Sequence, residues 1–313
     1  MRAIVYDRYG PPSVLQQRVI AAPVPGPGEV LVRVKAAGLN PKDSFVRKGR
    51  FRVLTGRTFP RQLGYDFAGT IESLGRGVFG LEAGAPVFGM LNGWAGGTLA
   101  ELVVARPDEL SAKPSTLSFE QAAAVPLAAL TALQALRDEA GLTRGDELII
   151  HGASGGVGLF AVQLARAMGA TVTTTSSEPN FEVCRRLGAA HTLDYHQATG
   201  LETPAAWNVF FDVFGNRSFA TVKTSLRQRG AFVSTVPSLR LGWHQLTTQF
   251  ADQRARLVRV RSNSADLAQL RGLIEAGQLA PVVERVWPLA SAAEAQAHIE
   301  LKHTRGKVVI TLG

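Results

Sequence analysis

The 313 residues include one cysteine, Cys184, which excludes an internal disulfide and any thiolate cage for a metal. Long apolar runs are missing as well. The most apolar stretch, residues 122–136, is interrupted by Pro126, Thr131 and Gln134 and falls short of the roughly 20 residues that a bilayer span needs. No basic, apolar and small-residue series of the signal-peptide kind opens the chain, since Ala3-Ile4-Val5-Tyr6 is already strand-like. A cytoplasmic protein without a membrane segment is therefore expected. None of the six histidines stands at a metal-ligand spacing, so no metal is expected either. Blocks of five or six like charges are also lacking, although 34 basic residues against 25 acidic ones leave a net charge of +9. That excess reads as a dispersed, solubilising surface. Its densest cluster, Arg254, Arg256, Arg259 and Arg261, contains no aromatic residue. It lacks the stacking platforms of single-stranded nucleic-acid binding, and nucleic acid is not an expected partner.

What is present has two textures. The first third is rich in glycine, proline and short β-type runs: residues 29–36 alternate apolar and charged positions, and residues 67–74 and 86–90 look like further strands. No long helical pattern occurs before about residue 119. Ser118, with Gln121 three residues on, then marks a helix start, and residues 131–140 continue as helix. From Glu147 strands and helices alternate: strands at 147–151, 170–175, 209–213, 231–236 and 257–261, with helices at 157–168, 181–187 and 219–226. Such alternation builds parallel βαβ units and a doubly wound sheet. The tail predicts helices at 266–275 and 291–302 and a closing strand at 307–312.

The strand Leu148-Ile149-Ile150-His151 runs into Gly152-Ala153-Ser154-Gly155-Gly156-Val157-Gly158 and then into an amphipathic helix. Glycines allow a tight turn and close approach of backbone to a pyrophosphate, and the helix start offers free N–H groups and a positive dipole end. In this strand–turn–helix setting the string predicts a dinucleotide site. An NAD site places Asp or Glu at the end of the second strand, where it binds a ribose hydroxyl. Here that strand ends at Ser176-Ser177, with Glu178 lying later. Serine hydroxyls can donate to a 2′-phosphate that a carboxylate would repel, so NADP(H) is the expected cofactor. The alternative for these serines is an ordinary turn.

The chain resembles the medium-chain dehydrogenase/reductase superfamily, specifically its zinc-free quinone oxidoreductase branch, which includes zeta-crystallin. The likeness runs through Gly38-Leu39-Asn40-Pro41-Lys42-Asp43, Gly64-Tyr65-Asp66-Phe67-Ala68-Gly69, Pro126-Leu127-Ala128-Ala129-Leu130-Thr131-Ala132, the glycine loop and Gly306-Lys307-Val308-Val309-Ile310. It implies an α/β chain in which a GroES-like β-rich catalytic domain, residues 1–120 completed by 266–313, carries an inserted Rossmann domain, residues 121–265, with the active site in the cleft. Zinc-dependent relatives have a cysteine at the position of Asn40 and a His-Glu pair at Tyr65-Asp66.

By the same resemblance Asn40 would lie beside the nicotinamide, and Thr131 would contact the cofactor near its ribose. Ser154, Gly155, Gly156 and Val157 would cradle the pyrophosphate. Ser176, Asn180 and Tyr195 would sit at the adenosine phosphate, and Phe214-Gly215 and Val236-Pro237 would close over the nicotinamide half. Each position has a structural alternative: Asn40 could cap a turn before Pro41, Thr131 could bond its own helix, and Tyr195 could be packing. Cys184 and His151 read as structural. Many quinone reductases of this branch carry tyrosines where this chain has Phe45 and Phe51, so these rings, with Tyr65, are expected to wall a substrate pocket in which Tyr65 supplies a hydroxyl donor. The expected activity is NADPH-dependent, zinc-independent hydride transfer to quinones or α,β-unsaturated carbonyls by a homodimer, paired through the 257–261 edge. An enoyl-thioester reductase of the same superfamily and an NADPH-binding protein with a crystallin-like, nucleic-acid-binding role are the alternatives.

Overall fold

The computed structural model describes residues 1–197, 201 and 203–312. Two compact units make up the chain, one of residues 1–130 and 261–313 and the other of residues 131–260. The boundaries expected at 120/121 and 265/266 therefore move. The reason is local: the helix Phe119–Ala123 packs on the strands Val30–Leu39 and Asp66–Leu74 of the first unit, and the helix Pro126–Gln134 runs through the new boundary.

The first unit is built on a sheet whose strands run in the order Val283–Pro288, Lys307–Thr311, Val30–Leu39, Asp66–Leu74, Pro86–Met90 and Leu110–Ala112. The strand Leu102–Ala105 also pairs with Val30–Leu39. Alternation in Val30–Leu39 buries Val30, Val32 and Val34 while Arg33 and Lys35 face out. The closing strand pairs antiparallel with the far end of the same strand, Val308 opposite Leu39 and Val309 opposite Gly38. That register sets Lys307 next to Asn40. A second small sheet joins Gln16–Val19, Arg2–Tyr6 and Arg61–Gln62.

Asn40 stands at the start of a short helix, Pro41–Arg47, too brief to show as a long helical pattern in the sequence. Proline at the first helical position costs no hydrogen bond, and Asp43 Oδ2 accepts the Asn40 N–H at 2.6 Å. Another missed element is Val283–Pro288, which pairs in parallel with the closing strand. Its consecutive residues Arg285 and Val286 are both exposed, so it lacks the clean alternation that marks a strand.

The second unit is a six-stranded sheet in the order His191–Asp194, Thr171–Ser176, Glu147–His151, Trp207–Asp212, Leu226–Ser234 and Arg254–Leu257. Every neighbouring pair is parallel. Chain order reverses direction at Glu147–His151, and the crevice beyond the strand ends at such a switch is where doubly wound sheets bind ligands. Ile149, Phe210, Phe219, Phe232 and Leu241 form the core on one face. Two expectations need correction. The last strand lies at Arg254–Leu257, not 257–261, because pairing with Ser234 ends at Leu257; arginines in alternation on both sides hid the register. Residues 131–140 are not one α-helix, since Ala135–Ala140 is π-helical and stops at Gly141, which has φ 66°.

Candidate active site

In the first unit Leu39, Asn40 and Asp66 come together around a buried ammonium. Lys307 Nζ donates to Leu39 O at 2.9 Å, to Asn40 Oδ1 at 2.5 Å and to Asp66 Oδ2 at 3.4 Å. Asn40 Nδ2 donates to Asp66 Oδ2 at 2.9 Å, and Asp66 Oδ1 accepts the Leu127 N–H at 2.8 Å. Asn40, Asp66 and Lys307 are all buried. Burial pushes the Asp66 carboxyl up and the Lys307 ammonium down, and each is the other's largest counterweight. Asp43, also buried, is raised by desolvation to about 7. Asn40 is thus corrected: both ends of its amide are committed to the interior of its own unit, so the side chain is not free to hold a carboxamide.

Tyr65 is corrected too. Its ring has no exposed surface, its hydroxyl donates to Trp94 O at 3.1 Å, and burial holds its acidity well below that of an ordinary phenol. A proton donor needs the opposite shift. What covers the ring is Lys42, whose Nζ lies 3.6 Å from the Tyr65 centroid and 5.2 Å from that of Trp94. The Phe51 ring lies tilted against that of Trp94, with centroids 4.8 Å apart, whereas Phe45 carries the Arg50 guanidinium at 4.8 Å. Phe51, Trp94 and Lys42 therefore form one half-buried patch. Lys42, Trp94 and Lys307 were missed as functional candidates. The signal for Lys307 was a lone charge in an apolar closing strand; nothing local marked Trp94.

In the second unit the glycine loop leaves the Glu147–His151 strand, and the N–H groups of Gly152 and Ala153 both donate to Thr175 O, at 3.2 and 3.1 Å. The loop is thereby tied to the end of the second strand. Gly152 has φ 84°. A Cβ on Gly158 would lie 2.4 Å from Ala153 O, so only glycine lets the helix Gly156–Ala167 start against the loop. Ser154, Gly155, Gly156 and Val157 remain half-exposed there, beside the unpaired N–H groups of a first helical turn.

The expected nicotinamide loops also meet. A Cβ on Gly215 would lie 2.3 Å from Val236 Cγ2, and one on Gly152 would lie 3.0 Å from Phe214 Cβ. Phe214 and Pro237 are exposed, and Thr131 is buried on its helix. His151 braces this end of the sheet through Thr175 Oγ1 and Asn216 Oδ1, each at 2.7 Å.

At the adenosine end Ser176 is corrected. It is buried, and its hydroxyl donates to Ser177 O at 3.3 Å, because the strand's alternation turns it inward towards Cys184. Ser177 is the half-exposed serine. Its Oγ accepts from Asn180 Nδ2 at 3.0 Å, and Asn180 Oδ1 is buried with no partner. Tyr195, 42% exposed, stacks on His196 at 4.1 Å, and its N–H donates to Ser176 O.

Residues 26–115 match the alcohol dehydrogenase GroES-like domain and residues 187–310 the zinc-binding dehydrogenase family. The chain is 31% identical to a chloroplast envelope quinone oxidoreductase homolog of Arabidopsis thaliana, covering 99% of this chain and 98% of that protein. It is 33% identical to the 2-methylene-furan-3-one reductase of Solanum lycopersicum, covering 99% and 79%. The solved structure of Escherichia coli quinone oxidoreductase complexed with NADPH covers 100% of both chains at 26% identity and a TM-score of 0.86. End-to-end likeness at this level, on a GroES-like unit and a six-stranded parallel sheet, places the chain in the medium-chain dehydrogenase/reductase superfamily, in its quinone oxidoreductase branch.

Proposed function

We propose that this oxidoreductase uses NADPH, without zinc, to reduce quinones or α,β-unsaturated carbonyls. The observation that carries the reading is the glycine loop bonded to the second-strand end, with Gly158 closing the helix onto it. The donor set fits a dinucleotide. Ser154–Val157 would hold the pyrophosphate through backbone N–H groups, and Phe214-Gly215 with Val236-Pro237 would border the nicotinamide. The hydroxyls of Ser177 and Tyr195 would donate to the 2′-phosphate, and the unpartnered Asn180 Oδ1 would accept from the remaining ribose hydroxyl. The cofactor, when bound, supplies hydride.

The residues do not fit zinc. The positions of the zinc ligands hold an amide, a buried phenol and a carboxylate already bound by the Lys307 ammonium, and a catalytic zinc needs three protein ligands with an open position. Without a Lewis acid, a simple ketone would develop a localised alkoxide, whereas quinones and enones delocalise the charge by conjugation. Likeness to a quinone oxidoreductase homolog and an enone reductase supports the same acceptors. Homodimerisation in the cytoplasm belongs to the proposal; the four-residue edge strand Arg254–Leu257 and the exposed Leu239, Trp243, Leu246 and Phe250 of the second unit support the pairing.

The decisive experiment measures dissociation constants for NADPH and NADH, then oxidation of NADPH by a panel of quinones and enones with and without chelator. Tighter NADPH binding and chelator-resistant turnover are expected. Ser177→Asp should weaken NADPH binding while sparing NADH. Equal affinity for the two nucleotides, or loss of turnover on chelation, would reject the reading.

A further inference from the structure

We infer that His151 is a positioning residue of the dinucleotide site: its imidazole joins the glycine loop to loop 213–217 and sets the two at one spacing before the cofactor arrives. The inference rests on the cofactor placement proposed above and concerns what holds the two ends of that placement together. All the residues involved belong to the second unit.

The join is a chain of hydrogen bonds that runs one way. Gly152 N–H donates to Thr175 Oγ1 at 3.4 Å. Thr175 Oγ1 lies 2.7 Å from His151 Nδ1, and His151 Nε2 lies 2.7 Å from Asn216 Oδ1. An amide oxygen only accepts, so Nε2 carries the ring proton, and Nδ1 accepts from the Thr175 hydroxyl. That direction requires a neutral imidazole. Burial favours it: His151 is 4% exposed, and desolvation pushes its pKa below the ordinary value. Two charged groups face the ring, Asp212, which pulls the pKa back up, and Arg217, which adds to the downward push.

Both loops are built to pass the constraint on. Asp212 Oδ1 and Oδ2 accept the Gly215 and Arg217 N–H groups at 2.8 and 3.0 Å, which fixes the backbone on either side of Asn216. At the stem of the same loop Val213 N–H donates to His151 O at 3.0 Å. On the other side Thr175 O holds the N–H groups of Gly152 and Ala153. A dinucleotide with its pyrophosphate on one loop and its nicotinamide at the other binds more tightly when their spacing is set in advance, because that ordering is no longer a cost of binding.

Three measurements test this, two of them on the cofactor-free protein. At about pH 6, close to the ordinary histidine pKa, long-range proton–nitrogen NMR correlation should show His151 neutral with its proton on Nε2. Asn216→Ala, at an exposed residue, should speed amide exchange at Gly152 and Ala153 about fivefold, the scale of one hydrogen bond. In NADPH titrations Thr175→Val and Asn216→Ala should each weaken binding about fivefold. Together they should still cost about fivefold, because either one breaks the chain. His151→Phe, which keeps a ring in the core without its bonds, should match that double variant. A charged or Nδ1-protonated imidazole, unchanged exchange in Asn216→Ala, unaltered NADPH affinity in both single variants, or an additive loss of about 25-fold in the double variant would overturn the assignment. A wild type that binds neither NADPH nor NADH would reject the cofactor reading above, and the exchange measurement would still decide whether His151 joins the loops.

Discussion

The two units solve the problem of polar groups in opposite ways. The first buries charge: Lys307, Asp66 and Asp43 lie in the interior and survive there through mutual pairing and hydrogen bonds. The second buries a single carboxylate there among the described residues, Asp212, held by the Gly215 and Arg217 N–H groups, and otherwise works through backbone, using glycines to aim N–H groups from a loop and a helix start. Side-chain charge is strong yet fragile, since each partner depends on the other. Backbone recognition is robust to most substitutions and sensitive only where a Cβ would intrude.

Breaking the ion cluster should have the largest effect. Lys307→Met leaves the Asp66 carboxylate buried against Asn40 without its cation, and should cost about 3–5 kcal/mol of stability in urea unfolding. Adding Asp66→Asn to that variant should recover part of the loss; full additivity of the two substitutions would show that no such coupling exists. The second unit breaks differently. Gly158→Ala drives a methyl into the Ala153 carbonyl and should weaken NADPH binding about tenfold, near 1.4 kcal/mol. The test is a fluorescence titration, with circular dichroism confirming the fold. Unaltered affinity would mean that the loop can shift freely.

A pH experiment sharpens the contrast further. Asp43 titrates near 7 in the folded chain against about 4 when unfolded, so between those values the native state binds more protons. Stability contributed by protonated Asp43 is therefore full below about pH 4, declines by up to about 1.4 kcal/mol per pH unit as pH rises, and is lost above about 7. Asp43→Asn should flatten that decline in denaturant unfolding measured from pH 4 to 8; an identical slope in both proteins would remove Asp43 from the account. The smallest effect is expected for Tyr65→Phe, which deletes one buried hydrogen bond to Trp94 O and should cost about 1 kcal/mol in the same assay. A loss several times larger would return the hydroxyl to a central role.

Legibility in the sequence followed the same division. The glycine loop could be read because strand, turn and helix are contiguous and glycine spacing has a local cause. The second unit's parallel sheet followed from the alternation of its elements. Counting along the chain points to Ser176, whereas the half-exposed hydroxyl belongs to Ser177, and only the pleat decides which. Asn40 and Tyr65 were picked out by resemblance, but the resemblance carried no account of their partners. Lys307 is 267 residues from Asn40, and no local pattern announces a contact of that span.

The sequence by itself determined the alternation of strands and helices in the second unit, the placement of the glycine loop and the absence of any disulfide, because propensity, glycine geometry and residue chemistry act within a few positions along the chain. Only the tertiary structure decided that Asn40 and Tyr65 face inward, that Lys307 fills the space among Asn40, Leu39 and Asp66, and that Lys42 lies over the Tyr65 ring. Those outcomes depend on the register that sets Lys307 beside the end of the Val30–Leu39 strand, and on burial, which alone turns a pair of ordinary charges into a coupled one.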